Sequence, residues 1–338
     1  MSRAQSLTWS GVWPALSARL GPSHRKLAWY TLTVIGLVAL PYIIVLNRVR
    51  STWGFDAYAY WAIDLGDLYG RSLQNTSGYG AFRYTPAIGQ AFSVFGVLPW
   101  EAFFAGWFAL MLVALVWMAG RDALPLLAFP PLALELYHAN VHLFMAVAIV
   151  LGFRWPATWA FLVLTKVTPG IGLLWFAIRR EWRSLAIALG VTVGLATLSF
   201  VVAPALWREY VLTMVDNLFY DRGRPYPIPV PIAVRLVLAA ALVMYGARTD
   251  RRWLVPVAST IALPIIWWHG LSMLIAAIPL WRADRAARAA GRAAGHAAGP
   301  AAGPAAGHAA GPAASRPALA GTGADPRRTS TGRSGEVR

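Results

Sequence analysis

The stretch LAWYTLTVIGLVALPYIIVL, Leu27 to Leu46, decides the fold class. It carries no charged residue, and at about 1.5 Å per residue it reaches roughly 30 Å, the thickness of a bilayer's hydrocarbon core. Arg19, Arg25 and Lys26 precede it and hold the N-terminus on the cytoplasmic side. The run is longer than the core of a signal peptide and ends at Asn47-Arg48 with no small-x-small cleavage pattern, so it reads as a retained anchor.

Outward from this segment the same character recurs. Of 338 residues, 58% are hydrophobic and only 13% charged, a composition foreign to soluble domains. The chain therefore reads as an all-α, polytopic membrane bundle, in which every backbone group is satisfied inside a helix. Seventeen tryptophans suit anchoring at the two interfaces. The net charge of +16 raises the question of nucleic acid, but the basic residues stand at helix ends and in the tail, where they face an anionic membrane surface. With no cysteine, disulfides, thiolate metal sites and a cysteine nucleophile are excluded.

Charge parity orders the remaining segments. Ala87 to Trp100 is short and interrupted by Gly89 and Gly96, so it either spans or lies at the outer interface as a juxtamembrane or re-entrant helix. If it does not span, the crossings fall at 102–119, 123–136, 141–153, 155–166, 168–178, 184–204, 231–246, 253–267 and 270–281, and a loop covers 205–229. That route puts Arg179, Arg180 and Arg183, then Arg248, Arg251 and Arg252, then Arg282, on the cytoplasmic side. The expected architecture is thus about ten spanning helices plus the re-entrant segment. Several crossings have only about 11–14 residues, too few to pass a core about 30 Å thick, so they extend into their flanks or are half-helices around a cavity.

Residues 1–281 form the membrane domain in this reading. From Arg282 to Arg338, alanine, glycine and proline dominate and GHAAGP occurs at both 295–300 and 307–312, which describes a disordered cytoplasmic tail with at most a few helical turns at its start. Its histidines, His296 and His308, are too sparse for metal binding.

Chemistry gathers in the segments assigned to the outer side. The first loop reads FDAYAYWAIDLGDLYG (55–70) and GYGAFRYTP (78–86). Asp56, near the mouth of the first helix, is placed to take a proton from a hydroxyl, with Asp64 and Asp67 farther along; the plain alternative is that all three solvate a loop. Arg83 has the planar fork that clamps a phosphate, or else snorkels at a helix end, and Tyr84 can bound a sugar or lipid pocket. ELYHANVH (135–142) sets Tyr137, His138 and Asn140 with Glu135 and His142 between two apolar segments, a polar group suited to a wet cavity. His138 and His142 are four apart, yet no H-E-x-x-H pattern accompanies them and no metal is required. In LTKVTPG (164–170), Lys166 stands at an interrupted helix where an anion finds an ammonium and unpaired amides, unless the lysine snorkels. PIIWWHG (264–270) returns His269 to the outer mouth beside Trp267 and Trp268, which either stack on a sugar or serve as interface anchors. A second outer loop holds Asp216, Asn217, Tyr220, Asp221, Arg222 and Arg224, followed by YPIPVP (226–231).

On Asp56 with Tyr58 and Tyr60, Arg83-Tyr84-Thr85-Pro86, the Asn140–His142 region, KVTPG (166–170) and WWHG (267–270), the chain resembles glycosyltransferase family 87, the membrane mannosyltransferases that include polyprenyl-phosphate-mannose-dependent actinobacterial enzymes. The resemblance spans roughly residues 28–281. It implies a GT-C architecture in the cell membrane, an extracytoplasmic active site, a polyprenyl-phosphate sugar donor, a lipid-linked or cell-wall glycan acceptor, and no cofactor. It implies Asp56 as the catalytic base, Lys166 and Arg83 at the donor phosphate, and His269 at the donor or acceptor site; by their own positions Tyr84 joins the donor side, and Asp64, Asp67, Tyr137, His138, Asn140 and Trp268 are candidates to line the acceptor site or cavity. A transporter or flippase with a midplane site near Pro169, and a noncatalytic scaffold, are the rival readings.

Overall fold

The computed structural model describes residues 22–48, 53–74, 78–220 and 230–297, and these are helical, with no strand among them. The helices, in order, are α1 (Pro22–Arg48), α2 (Phe55–Trp61), α3 (Gly70–Gln74), α4 (Pro86–Phe92), α5 (Trp100–Ala119), α6 (Ala123–Leu126), α7 (Pro130–His138) and α8 (His142–Gly152). They continue as α9 (Trp159–Thr165), α10 (Leu174–Ile178), α11 (Trp182–Val202), α12 (Pro204–Tyr220), α13 (Ile232–Arg248), α14 (Leu254–Ile261) and α15 (Ala277–Ala297). 3₁₀ turns at Ser93–Val97, Thr168–Leu173 and Trp268–Ala276 join several of them.

The outward surface of the longer helices is apolar. α5 exposes Leu110, Val113, Val116 and Trp117, and α11 exposes Val193, Leu198, Val201 and Val202. Such continuous apolar faces mark contact with lipid or a partner rather than water. Among the described residues two helical stretches, Trp100–Leu126 and α11, are long and apolar enough to cross a membrane, and three if the bent pair α7 and α8 is one span. The protein is therefore a helical membrane protein. α1 likewise turns Leu27, Ile35, Val38 and Val45 outward, and its inner side approaches the chain closely: a Cβ on Gly36 would lie 2.6 Å from Leu127 Cβ and 2.7 Å from the Ala128 nitrogen.

Many segments expected as full crossings are shorter helices separated by bends. Pro156–Thr165 and Thr168–Ile178 are each single apolar pieces too short to span alone, and so is Pro86–Val97, the segment expected as juxtamembrane or re-entrant. α7 and α8 meet at 111°. Ala139 makes that corner with a left-handed φ of 52°, and Asn140 secures it by accepting the Val141 amide on Oδ1 at 2.7 Å. The stretch read as a loop from 205 begins instead as the 17-residue helix α12; residues 221–229, with Asp221, Arg222 and Arg224, lie outside the described residues, as do Arg19 and His308.

Basic helix ends that share a side by charge parity are joined in the structure. Arg179 donates to the Ala247 carbonyl at 3.0 Å and pairs with Asp250 at 2.5 Å. Arg252 pairs with Asp284 at 2.7 Å, and Arg282 pairs with Asp122. α15 carries the helix past residue 281, and the chain divides between Gly291 and Arg292 into two units, of the second of which residues 292–297 are described.

Candidate functional site

The polar residues of the described structure converge where helix ends meet. Asp56 is in the first turn of α2, His138 is the last residue of α7, Lys166 caps the C-terminus of α9 in extended conformation, and His269 enters the turn Trp268–Ala276. That turn packs against both α7 and α8. Helix ends leave backbone groups and side chains free to face one another, which the middle of a helix does not.

Asp56 is anchored by its neighbour in sequence. Gly54 adopts a left-handed φ of 74° and donates its amide to the Tyr137 carbonyl at 2.9 Å, tying the start of α2 to the end of α7. A Cβ on Gly54 would meet Phe104 at 2.7 Å, so both conformation and space favour glycine. Asp56 Oδ2 then lies 3.9 Å from His138 Nδ1 and 3.9 Å from His269 Nε2. Both Asp56 Oδ2 and His138 Nδ1 are buried without a hydrogen-bond partner among the described residues. A gap of this size exceeds a direct hydrogen bond and admits one bridged by an oxygen. The imidazoles of His138 and His269 have ring centroids 5.0 Å apart, and those of His142 and His269 are 5.3 Å apart.

Beside the aspartate stands a cationic group. Lys166 lies close enough to Asp56, to Glu135 and to Arg83 for their charges to interact. Lys166 Nζ is 2.6 Å from His142 Nε2 and 5.9 Å from the centre of the Tyr84 ring. Thr85 fixes this corner by donating its amide (3.3 Å) and its hydroxyl (2.7 Å) to the Leu164 carbonyl. Tyr69 donates to the Tyr84 carbonyl at 2.7 Å, and the Tyr60 and Tyr84 hydroxyls are 2.9 Å apart. Burial pushes both of those phenols well above their ordinary range, so each is a neutral hydroxyl.

Glu135 and His142, which the sequence marked only as members of a polar cluster suited to a wet cavity, join this site as a pair. Glu135 is completely buried and its Oε2 lies 3.0 Å from His142 Nδ1. A charged residue inside an apolar helix requires a buried partner, and that requirement was the signal available for both. Potential metal-ligand atoms of Glu135, His142 and His269 lie within 4.8 Å of one another. The Glu135 oxygens are already engaged, and His142 Nε2 faces the Lys166 ammonium, so a cation there would have to displace the lysine. The four-residue spacing of His138 and His142 does not act as a helical pair, because the corner at Ala139 separates them.

The remaining expected residues are placed less centrally. Asp64 and Asp67 are exposed, and Asp64 Oδ1 accepts the Gly66 amide at 2.8 Å in a tight turn. Trp268 is 53% exposed. Tyr137 and Asn140 are buried at the corner, and Arg83 is half-buried. The side chains of Asp216, Asn217 and Tyr220 lie outside the described residues.

A membrane helical bundle whose helix ends converge on two carboxylates, three imidazoles and a lysine has the form of an enzyme site. The chain belongs to glycosyltransferase family 87, whose model matches residues 82–302. It is therefore a glycosyltransferase, using a sugar donor and an acceptor, and the transporter and scaffold readings fall away. No curated protein and no solved structure matches the chain. Arg83, Lys166 and His269 fall inside the matched region; Asp56 precedes it and joins them through the fold.

Proposed function

We propose that this glycosyltransferase moves one mannosyl unit from a polyprenyl phosphate to a hydroxyl of a lipid-linked or cell-wall glycan, with Asp56 as general base. The observation that carries the proposal is the unpartnered, buried Asp56 Oδ2, 3.9 Å from each of two imidazole nitrogens and within charge range of Lys166. A carboxylate without a donor is ready to accept one, and an acceptor hydroxyl supplies it.

In the reaction, the hydroxyl oxygen attacks the anomeric carbon as its proton passes to Asp56. The bond from that carbon to the phosphate oxygen breaks, and its electron pair leaves with the phosphate. Lys166 and Arg83 meet the charge that grows on the departing phosphate. Like charges in proximity favour an anion between them, and that is the role suggested for this pair. The leaving group is a stable monoester anion, so no acid has to protonate it. One displacement inverts the anomeric centre, giving an alpha linkage from a beta-linked donor. His138 and His269 flank Asp56 and orient the hydroxyl, the buried Tyr84 bounds the donor side, and Tyr137, Asn140 and the more exposed Trp268, Asp64 and Asp67 belong to the acceptor side in this reading.

The same proposal sets the protein in the cell membrane as a multi-pass, GT-C-type bundle of about ten crossings, several of them broken helices. Its active site faces the extracytoplasmic side and both termini face the cytoplasm, with residues 1–281 as the transferase domain and 282–338 as a tail. Support comes from the separate gathering of the two sets of residues: Asp56, His138, Lys166 and His269 in one cluster, and the arginine pairs Arg179–Asp250 and Arg252–Asp284 in another.

Purified full-length protein in nanodiscs, given a bacterial membrane lipid extract as acceptor, tests the donor. Radiolabel should move into the extract from synthetic polyprenyl-phosphate mannose and not from GDP-mannose. Transfer from GDP-mannose alone would overturn the lipid-donor reading. For sidedness, Asp64→Cys should react with an impermeant maleimide on intact cells and Arg180→Cys only after permeabilisation; the reverse pattern would overturn the topology.

A further inference from the structure

Glu135 is a fully buried carboxylate whose hydrogen bonds, among the described residues, go to His142 and Leu143. Its Oε1 accepts the backbone amides of His142 at 2.8 Å and Leu143 at 3.3 Å, the first amides of α8. Its Oε2 lies 3.0 Å from His142 Nδ1. On the far side of the same ring, Lys166 Nζ lies 2.6 Å from Nε2.

The proton positions follow from the chemistry of the two ends. An ammonium only donates, so His142 Nε2 accepts from Lys166. A neutral imidazole that accepts on Nε2 carries its hydrogen on Nδ1, and that hydrogen is donated to Glu135 Oε2. The carboxylate thus fixes the tautomer, and the tautomer fixes the lysine. The ring is buried and packed beside another imidazole, its centroid 5.3 Å from that of His269.

We propose that Glu135 is a positioning residue which, through His142, holds the Lys166 ammonium aimed at the phosphate of the lipid donor. The inference rests on the reading of Lys166 as a phosphate contact. The interposed imidazole explains why the acid and the lysine are not paired directly. A direct Glu–Lys pair would draw the ammonium onto the carboxylate, whereas His142 occupies a single N–H and leaves the other two for phosphate oxygens. The carboxylate still stabilises the buried positive charge from one ring away.

Glu135→Gln separates this role from bulk packing. If the amide oxygen keeps the two backbone amides, the NH₂ faces His142 Nδ1, the ring hydrogen moves to Nε2, and it then opposes the ammonium. Binding of farnesyl phosphate to full-length protein in nanodiscs should weaken about 10–100-fold in Glu135→Gln, the range for losing a residue that orients a ligand-bearing side chain. Lys166→Met should weaken binding at least as much, and the double variant should bind like Lys166→Met alone. If Lys166→Met weakens binding while Glu135→Gln binds like the native protein, or if the two losses multiply in the double variant, the positioning role is overturned and the phosphate contact stands. If Lys166→Met binds like the native protein, both fall together. A measurement on the native protein removes dependence on variant folding: ¹⁵N spectra of labelled histidine, assigned through His142→Gln, should show His142 protonated at Nδ1. Protonation at Nε2 alone would overturn the relay.

Discussion

Asp56 Oδ2 and His269 Nε2 face each other across 3.9 Å, brought together from the first turn of α2 and the turn that opens at Trp268. A single oxygen hydrogen-bonded to both groups would span that interval. In the proposed reaction this interval is the seat of the acceptor hydroxyl.

Gly54 is the N-cap of α2. Gly54→Ala forces an L-residue into φ 74° and drives its Cβ against Phe104. The expected loss of stability is about 1–3 kcal/mol, read as a lower melting temperature by tryptophan fluorescence in detergent. Transfer should fall at temperatures where the variant is still folded, because the Gly54–Tyr137 tie sets the position of Asp56.

Tyr60 and Tyr84 form a closed pair of neutral hydroxyls 2.9 Å apart. Removing one leaves the other buried with a lost partner, so Tyr60→Phe and Tyr84→Phe should each cost about 1–3 kcal/mol. The double variant should cost less than the two summed, since it removes both polar ends together. Equilibrium unfolding of the four forms measures the coupling; full additivity would mean that the hydroxyls do not interact.

Arg235 is buried in α13 and donates its guanidinium to the Val230 carbonyl just before its own helix and to three carbonyls of the segment that leads to His269. It donates to Val230 and Ile261 at 2.9 and 3.0 Å, to Pro264 at 2.8 Å and to Leu263. Lysine cannot reproduce that planar fork, so even Arg235→Lys should destabilise by about 2 kcal/mol or more, and Arg235→Met further. Both variants should also lower transfer, with limited proteolysis showing the 261–267 segment newly accessible.

Much of the site was legible in the sequence because polar residues in an apolar chain are conspicuous. Asp56, His138, Lys166 and His269 each stand at a break in hydrophobicity, and the fold does bring them together. Glu135 was visible in PPLALELYH but its partner was not, since pairing with His142 depends on the 111° corner made by Ala139, and nothing in an alanine announces a left-handed φ. Counting crossings was harder for a related reason. Apolar runs near 123–136 and 155–178 give the same hydropathy whether they cross or bend, and the structure divides them into short pieces at Phe129, Trp155 and Lys166. α12 was missed because Arg208, Glu209 and Asp216 interrupt its apolar face and make it read as a loop.

The central claim is that Asp56 takes the proton of the acceptor hydroxyl, and Asp56→Asn tests it most directly. The asparagine keeps the shape and removes the basicity. In nanodiscs with synthetic polyprenyl-phosphate mannose, transfer should drop by about 10²–10⁴-fold, while farnesyl phosphate binding and the melting temperature stay near those of the native protein. Transfer at the native rate by a folded Asp56→Asn protein would contradict the account.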